Sequence, residues 1–166
     1  MTSPPDPSLG AEQAAQHIAE RCAALMWAED LAARGLGIEL LQVGPGVARL
    51  RMLVRPDMVN GHGNCHGGFI FTLADAAFSY ACNSDNQRAV ASGADISFLA
   101  PAHSGDLLES VCRMRSQGGR SGIYDGEVSN HQGKTLALFR GRSARIKGHF
   151  FTDSPADSTL PTEASS

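Results

Sequence analysis

The 166-residue sequence contains no uninterrupted apolar run of the roughly 18 to 20 residues that a membrane-spanning helix needs. Its opening residues, MTSPPDPS, lack the basic and then apolar order of a signal peptide. Lysine and arginine total 14 and aspartate and glutamate total 17, which gives a net charge of -3 without any basic block. A chain with this charge pattern is not expected to bind nucleic acid or an anionic membrane. We therefore expect a cytoplasmic protein.

Cysteine is scarce and follows no metal-binding or redox pattern. Four cysteines are scattered along the chain without a Cys-x-x-Cys pair: Cys22, Cys65, Cys82 and Cys112. This spacing favours reduced thiols over a disulfide framework. His62, Cys65 and His66 are residue types that bind zinc, but the spacing supplies no fourth ligand. We expect no metal ion at this site.

Proline, glycine and small polar residues divide the chain into tails and a single domain. Residues 1–10 contain three prolines and residues 152–166 are rich in Ser, Thr, Pro and Ala, so we expect disordered tails at 1–10 and 151–166. The domain is then predicted to span residues 11–150. It opens with an Ala-, Glu- and Leu-rich segment, residues 11–34, which is typical of a helix that Gly35 and Gly37 end.

The rest of the domain alternates between strand-like runs and one central helix. Residues 38–54 predict two strands around a turn at residues 44–46, and residues 66–83 predict the helix. Four further strands are predicted at residues 89–98, 107–116, 121–130 and 135–146. A buried helix with antiparallel strands before and after it is an α+β pattern, with the sheet curled over the helix.

The central helix carries one polar stripe on an otherwise apolar surface. At about 100° per residue, four polar residues fall within an arc of roughly 80°: Thr72, Asp75, Ser79 and Asn83. A buried carboxylate is costly, so Asp75 must be paired or used in chemistry. The helix begins at a Gly-Gly pair, where free N–H groups and the positive end of the helix dipole favour an anion or a polarised carbonyl. A base and a donor site on one helix indicate acyl chemistry.

The segments NGHGNCHGGFIFTLADAAFSYACNS and AVASGADISFLAPAHSGDLL, followed by GIYDGEV, ALFRG and RSARI, resemble the hotdog-fold phenylacetyl-CoA thioesterases of the PaaI type. The resemblance covers about residues 35–147. It implies a hotdog fold, in which an antiparallel sheet wraps around a long central helix. It also implies a homodimer joined edge to edge, often paired into a homotetramer, with active sites at the dimer interface. The implied activity is hydrolysis of phenylacetyl-CoA or a ring-hydroxylated relative, without any cofactor besides the coenzyme A of the substrate.

The resemblance also assigns site residues. The family's catalytic Asp falls on Asp75, its helix-start Gly on Gly67, the neighbouring His on His66 and the loop Asn on Asn60. Ala76 stands where the relatives often have Thr, which bears on the preferred acyl group and not on the reaction.

The chemistry of these residue types agrees with a thioesterase. Thioester hydrolysis needs donors where charge grows on the carbonyl oxygen, and backbone N–H groups at a helix start are preorganised for that task. Gly67 and Gly68 allow a ligand to approach this backbone closely. Asp75 is expected to act as a general base on water or to attack directly and form a mixed anhydride. Thr72 and Ser79 are expected to face the thioester beside it.

The remaining polar residues have weaker assignments. Asn60 has an amide that suits a water or the thioester carbonyl, and His66 is expected to orient the loop or the thioester. Three arginines have the right geometry for the phosphates of coenzyme A, and Arg120 is taken as substrate-binding among them: Arg120, Arg142 and Arg145.

Several of these assignments have an alternative. The Gly-Gly pair could be a helix start that needs small residues for packing. Asp75 could instead be hydrogen-bonded to Ser79 or to a neighbouring subunit, and Asn60 before Gly61 could be a turn residue. The whole chain could be a non-catalytic acyl-CoA-binding hotdog module, or a general medium- or long-chain acyl-CoA thioesterase. A hotdog hydratase would need a paired Asp and His motif that the sequence lacks.

Overall fold

Six antiparallel strands form a single sheet in the computed structural model, which describes residues 7–152. In chain order the strands are β1 (Glu39–Gly44), β2 (Val47–Leu53), β3 (Gln87–Phe98), β4 (Leu107–Gly118), β5 (Ser121–Asn130) and β6 (Thr135–His149). Their order across the sheet is β1-β2-β4-β5-β6-β3. A 3-10 turn at Pro56–Met58 follows β2. The predicted α+β class is confirmed, and β3, β4 and β6 extend two or three residues beyond the predicted runs.

One long helix, α3 (Gly67–Cys82), lies across this sheet. It contacts all six strands and packs mainly on β2, β4 and β5. Phe78 packs its ring against Tyr124 and Phe139, with centroid distances of 5.5 and 5.8 Å. Gly141 of β6 lies directly below: a Cβ atom there would come within 2.7 Å of the Phe78 ring, so this position requires glycine. The central helix is therefore held by close packing, as the apolar pattern predicts.

Polar side chains define both ends of α3. At the start, Nδ1 of His66 accepts a hydrogen bond from the Gly68 N–H at 3.0 Å, as an N-cap does. At the end, the side chain of Asn83 donates to the carbonyls of Ser79 and Ala89 and accepts from the Ala89 N–H. Asn83 belonged to the predicted polar stripe, but its amide holds the helix end against β3.

The N-terminal segment forms two helices, so the prediction of one helix over residues 11–34 was wrong. Helix α1 spans Pro7–Glu29 and α2 spans Leu31–Gly35. The chain breaks at Asp30, whose carboxylate accepts from the Ala33 N–H at 3.0 Å and from the Tyr80 hydroxyl at 3.0 Å. An Asp side chain that bonds nearby backbone groups favours a cap over a helix interior. The tie to Tyr80 of α3 fixes the break.

The predicted tails are shorter than expected on both sides. Helix α1 begins at Pro7, four residues before the predicted start, and proline is favoured at the first position of a helix. At the other end, Asn86 accepts from the N–H groups of Phe150 and Phe151 and donates to the Phe151 carbonyl. The guanidinium of Arg21 lies 4.0 Å from the Phe151 ring centroid. Disorder predicted for residues 1–6 and 153–166 lies outside the described residues.

The two edges of the sheet differ. Along β1, helix α1 covers the edge, and Gln16 donates to the Val43 carbonyl at 2.8 Å. Along β3, a 12-residue strand, the outer edge pairs with no other strand among residues 7–152. A long unpaired edge exposes a row of backbone donors and acceptors that favours pairing with another chain.

All four cysteines are buried and free of disulfide bonds in the structure. Between residues 7 and 152, no helix is long and apolar enough to cross a membrane.

Candidate active site

Asp75 lies half-buried in the middle of α3, on the polar stripe of that helix. Within residues 7–152 its carboxylate has neither a hydrogen bond nor an ion pair, so the alternative of a bond to Ser79 is not formed there. Burial raises the pKa of Asp75 above its usual value of 3.8. A desolvated carboxylate without a partner is available as a base or nucleophile, and such perturbed groups concentrate at functional sites.

Gly67 offers a free backbone N–H at the start of the same helix. It occupies the first helical position, and its N–H has no acceptor among the described residues. The Gly68 N–H differs, because it donates to Nδ1 of His66. The Gly-Gly pair therefore presents one free N–H donor, on Gly67, and not two. The predicted contact between Gly68 and the substrate stays a prediction, and it would have to involve a group other than the Gly68 N–H.

His66 caps the helix through Nδ1, and this hydrogen bond determines the tautomer of its neutral ring. An imidazole that accepts a hydrogen bond at Nδ1 carries its proton on Nε2 when neutral. The ring is exposed and lies edge-on to Phe69, with centroids 6.4 Å apart. A neutral His66 thus presents an Nε2–H donor beside the helix start, and its role in orienting the loop or the thioester stays a prediction.

Asn60 lies in the loop that leads into α3. Its Oδ1 accepts from the backbone N–H groups of His62 at 2.9 Å and Asn64 at 3.3 Å. The turn interpretation is therefore correct for this oxygen, which shapes the loop as Asx turns do. The amide nitrogen of Asn60 has no acceptor within residues 7–152 and can donate to a ligand or a water.

The rest of the polar stripe is only partly available. Thr72 donates its hydroxyl to the Gly68 carbonyl at 2.8 Å, whereas the Ser79 hydroxyl has no partner in the described part of the chain. Ile70 and Phe78 are buried against the sheet, because the helix turns these two side chains towards the core. Phe71, half-buried one turn before Asp75, is the aromatic residue on the same side.

The distance between Asp75 and Gly67 limits what one protomer can do. The two residues are eight positions apart on one helix, which is about 12 Å along the helix axis. A donor on the carbonyl oxygen and a base acting at the same carbonyl carbon must both lie within about 3 Å of the reacting atoms. Asp75 and Gly67 of the same chain do not meet this condition.

Arg120 lies in the turn between β4 and β5. It donates from Nε and Nη2 to the Arg145 carbonyl, both at 3.3 Å, and borders a recess of about 450 Å³ with Arg145 and Lys147. Arg145 pairs with Asp85 and Arg142 with Asp95. Of the three arginines predicted as phosphate ligands, Arg120 is the one without a carboxylate partner among the described residues.

Phe98, the last residue of β3, contacts Gly67. Phe98 lies within the segment AVASGADISFLAPAHSGDLL, but the sequence assigns it no role, since a contact across 31 positions leaves no local pattern. No three His, Cys, Asp or Glu side chains between residues 7 and 152 lie close enough together to hold a metal ion.

Comparison with known proteins identifies the family. Residues 62–137 match the thioesterase superfamily. The acyl-coenzyme A thioesterase PaaI of Escherichia coli (strain K12) is 48% identical over 132 residues, which cover 80% of this chain and 94% of that protein. The chain belongs to the PaaI-type thioesterases. The solved E. coli PaaI protein from the phenylacetic acid degradation operon superposes with a TM-score of 0.79 at 47% identity, covering 81% of this chain and 97% of that chain.

A second PaaI-type structure supports the same assignment. A mutant of the phenylacetic acid degradation protein PaaI from Thermus thermophilus gives a TM-score of 0.66 at 34% identity, over 69% of this chain and 97% of that chain. These matches confirm the predicted hotdog fold.

Proposed function

We propose that this PaaI-type thioesterase hydrolyses phenylacetyl-CoA, or a ring-hydroxylated phenylacetyl-CoA, to the free acid and coenzyme A. The observation that carries the proposal is the unpaired, desolvated carboxylate of Asp75 on the helix that begins with a free Gly67 N–H. A module that only binds acyl-CoA has no need for such a carboxylate, whose burial without a partner is unfavourable. The E. coli relative is an acyl-coenzyme A thioesterase of the PaaI type.

In this proposal the Gly67 N–H donates to the thioester carbonyl oxygen and stabilises the negative charge that grows on it. Asp75 either takes a proton from the attacking water or attacks the carbonyl carbon itself. In the first route water adds to the carbonyl carbon, the C–S bond breaks, and the proton that Asp75 took from water passes to the coenzyme A sulfur. In the second route the C–S bond breaks as the mixed anhydride forms, and water then hydrolyses the anhydride; this step restores Asp75, releases the free acid and supplies the proton of the coenzyme A thiol. Both routes need ionised Asp75, so activity should fall with decreasing pH through a pKa above 3.8.

We further propose that each site is shared by two protomers, with Asp75 of one chain facing Gly67 of the partner subunit. The separation of about 12 Å along α3 supports this arrangement, because one chain cannot apply both groups to one carbonyl. The side of α3 that holds Gly67 and Phe71 contacts Phe98 of β3 and Phe139 of β6, so it lies next to the free edge. Pairing of β3 across a two-fold axis would bring two such sides together. A further pairing of dimers into tetramers stays a prediction.

Selectivity separates this proposal from a general fatty acyl thioesterase. Half-buried Phe71 and exposed Phe98 beside the candidate catalytic groups favour a short, aromatic acyl pocket over a long tunnel. We expect kcat/KM for phenylacetyl-CoA to exceed that for palmitoyl-CoA at least about tenfold, since an apolar slot of the wrong shape discriminates by about 1 to 3 kcal/mol per small group. The measurement follows thiol release with both substrates, keeping palmitoyl-CoA below its micelle threshold. Equal or reversed efficiencies would favour the general thioesterase.

We propose that Arg120 binds the phosphates of coenzyme A. Its guanidinium has no carboxylate partner among the described residues and borders a recess beside Lys147, and guanidinium groups match phosphate geometry. Arg120→Ala should raise KM for phenylacetyl-CoA by about three- to tenfold, the effect of one exposed charge-assisted hydrogen bond. KM for the phenylacetyl thioester of N-acetylcysteamine, which lacks the nucleotide, should not change. Arg49→Ala removes an exposed arginine paired with Glu109 and is the control; it should leave KM for both substrates unchanged. If Arg120→Ala raised KM equally for both substrates, the proposal would be contradicted.

A further inference from the structure

Phe98 is a large apolar side chain that the fold leaves open at the end of its free edge strand. The side chain is 53% exposed. Its backbone is fixed, because Phe98 pairs with Ala137 of β6 and the next N–H donates to the Leu136 carbonyl at 2.8 Å. Single exposed apolar residues are common on protein surfaces. Exposure alone therefore assigns no role to Phe98.

The position of its ring over Gly67 distinguishes Phe98 from other exposed apolar residues. A Cβ atom built on Gly67 would lie 2.9 Å from Cζ of Phe98, and 3.2 and 3.4 Å from Cε1 and Cε2. The tip of the phenyl ring therefore occupies the space that a side chain would fill on the residue whose N–H is free. Because glycine has no side chain, nothing separates the ring from this backbone.

We propose that Phe98 is a specificity-determining residue of this thioesterase, and that its ring forms the wall of the acyl pocket beside the Gly67 N–H. The inference rests on the proposed function. An oxyanion-hole donor lies about 2.7 to 3.1 Å from the oxygen it stabilises. In this proposal a thioester whose carbonyl oxygen accepts from the Gly67 N–H places the carbons next to that carbonyl against Phe98.

This contact should favour aromatic acyl groups. A phenyl ring one carbon away from the carbonyl can lie edge-to-face or offset-stacked on Phe98, the arrangements that aromatic pairs prefer. A straight alkyl chain at the same place gains apolar contact but no such pairing. Phe98 should thus raise the efficiency with phenylacetyl-CoA relative to an alkyl substrate of similar size, such as hexanoyl-CoA.

Val90 provides a matched control on the same strand. It is 47% exposed and lies eight residues before Phe98, about 26 Å away along an extended strand. Both residues belong to the free edge of β3, so a substitution that weakened pairing between protomers would act at either position. Of the two, Phe98 is the one that contacts Gly67.

The test measures kcat and KM of Phe98→Leu, Phe98→Tyr and Val90→Ala with phenylacetyl-CoA and hexanoyl-CoA. We expect Phe98→Leu to lower kcat/KM about tenfold for phenylacetyl-CoA and less than about threefold for hexanoyl-CoA, as the loss of an aromatic pair predicts. Phe98→Tyr keeps an aromatic ring and should keep the wild-type ratio of the two efficiencies, as should Val90→Ala. Circular dichroism and sedimentation of each variant check fold and assembly.

The outcomes separate this inference from the function on which it rests. An active wild-type protein with an unchanged ratio in Phe98→Leu would overturn the role of Phe98 and leave the proposed function intact. Equal losses on both substrates in that variant would overturn it in the same way, because a structural defect has no acyl preference. A wild-type protein that hydrolyses neither substrate would overturn both proposals.

Discussion

Asp75→Asn should lower kcat/KM for phenylacetyl-CoA by at least about a hundredfold, the usual contribution of a positioned general base. The substitution preserves the size of the side chain and its ability to accept a hydrogen bond, but it removes the negative charge. Direct nucleophilic attack would be lost as well, so the expectation holds for both routes. Thiol release under steady-state conditions measures the effect. A variant that stays within tenfold of wild type would exclude Asp75 as base or nucleophile.

Glu39→Gln is the matched control for this substitution. It makes the same carboxylate-to-amide change on β1, at the opposite edge of the sheet, where Glu39 is exposed and paired with Arg51. Its activity should stay within about twofold of wild type, since surface substitutions of this kind have small effects. A comparable loss of activity in Glu39→Gln would show that the assay reports a general change and not the chemistry of Asp75.

The ionised carboxylate of Asp75 should destabilise the folded state at neutral pH. Burial raises the pKa of Asp75 above 3.8, so the folded state binds this proton more tightly than the unfolded chain does. The stabilising contribution of the neutral form is present below the unfolded pKa and is lost as pH rises through the folded pKa. The Tm of Asp75→Asn should therefore equal or exceed that of the wild type at pH 7, and this difference in Tm should vanish below about pH 4. Thermal melts of both proteins across this pH range measure it.

The central helix and most strands could be predicted because their patterns are local. Apolar spacing and the capping residues predict α3 within one residue at each end, since His66 and Asn83 lie next to it in the chain. The break in the N-terminal helix could not be predicted in this way. Asp30 is held by Tyr80, which is 50 positions away. Likewise, Asn86 holds Phe151 across 65 positions, so composition alone suggested a tail there.

The candidate site could likewise be predicted only where its features are local in the sequence. Residue chemistry and resemblance together predict Asp75 and Gly67 as site residues, because a carboxylate in an apolar helix and a Gly-Gly start are visible in the sequence. The sequence could not reveal that His66 occupies the Gly68 N–H, since this depends on the rotamer of a cap residue. Nor could it reveal the contact of Phe98 with Gly67. Both are side-chain placements that follow from the packed fold.

Gly67→Pro should lower kcat/KM by about a hundred- to a thousandfold, the loss observed when one oxyanion-hole donor is removed. Proline deletes the N–H, and it is well tolerated at the first position of a helix. The preceding residue suits this change, because His66 has φ -63° and ψ 132°, the extended conformation that proline requires before it. The helix should therefore form normally, which circular dichroism can verify.

Gly67→Ala is the steric control for this variant. Both substitutions place a Cβ atom about 2.9 Å from the Phe98 ring, whose exposed side chain can move, but alanine keeps the N–H. We expect Gly67→Ala to retain activity at least about tenfold above Gly67→Pro. Equal activities of the two variants would mean that the added side chain, and not the missing donor, impairs the enzyme.

Mixing the two inactive variants should restore activity if each site is shared. In a heterodimer of Asp75→Asn and Gly67→Pro, one site carries both substitutions and the other carries neither, because Asp75 of one chain faces Gly67 of the partner subunit. Random exchange of an equal mixture makes half of the dimers heterodimers, so about a quarter of the wild-type activity should return. Co-refolding and assay of the mixture measure this recovery, with each variant refolded alone as the control, and sedimentation tests for the dimer. A mixture as inactive as its parents, or an active monomer at micromolar concentration, would place both groups in one protomer. That result would require α3 to rearrange, since about 12 Å of helix separates Asp75 from Gly67.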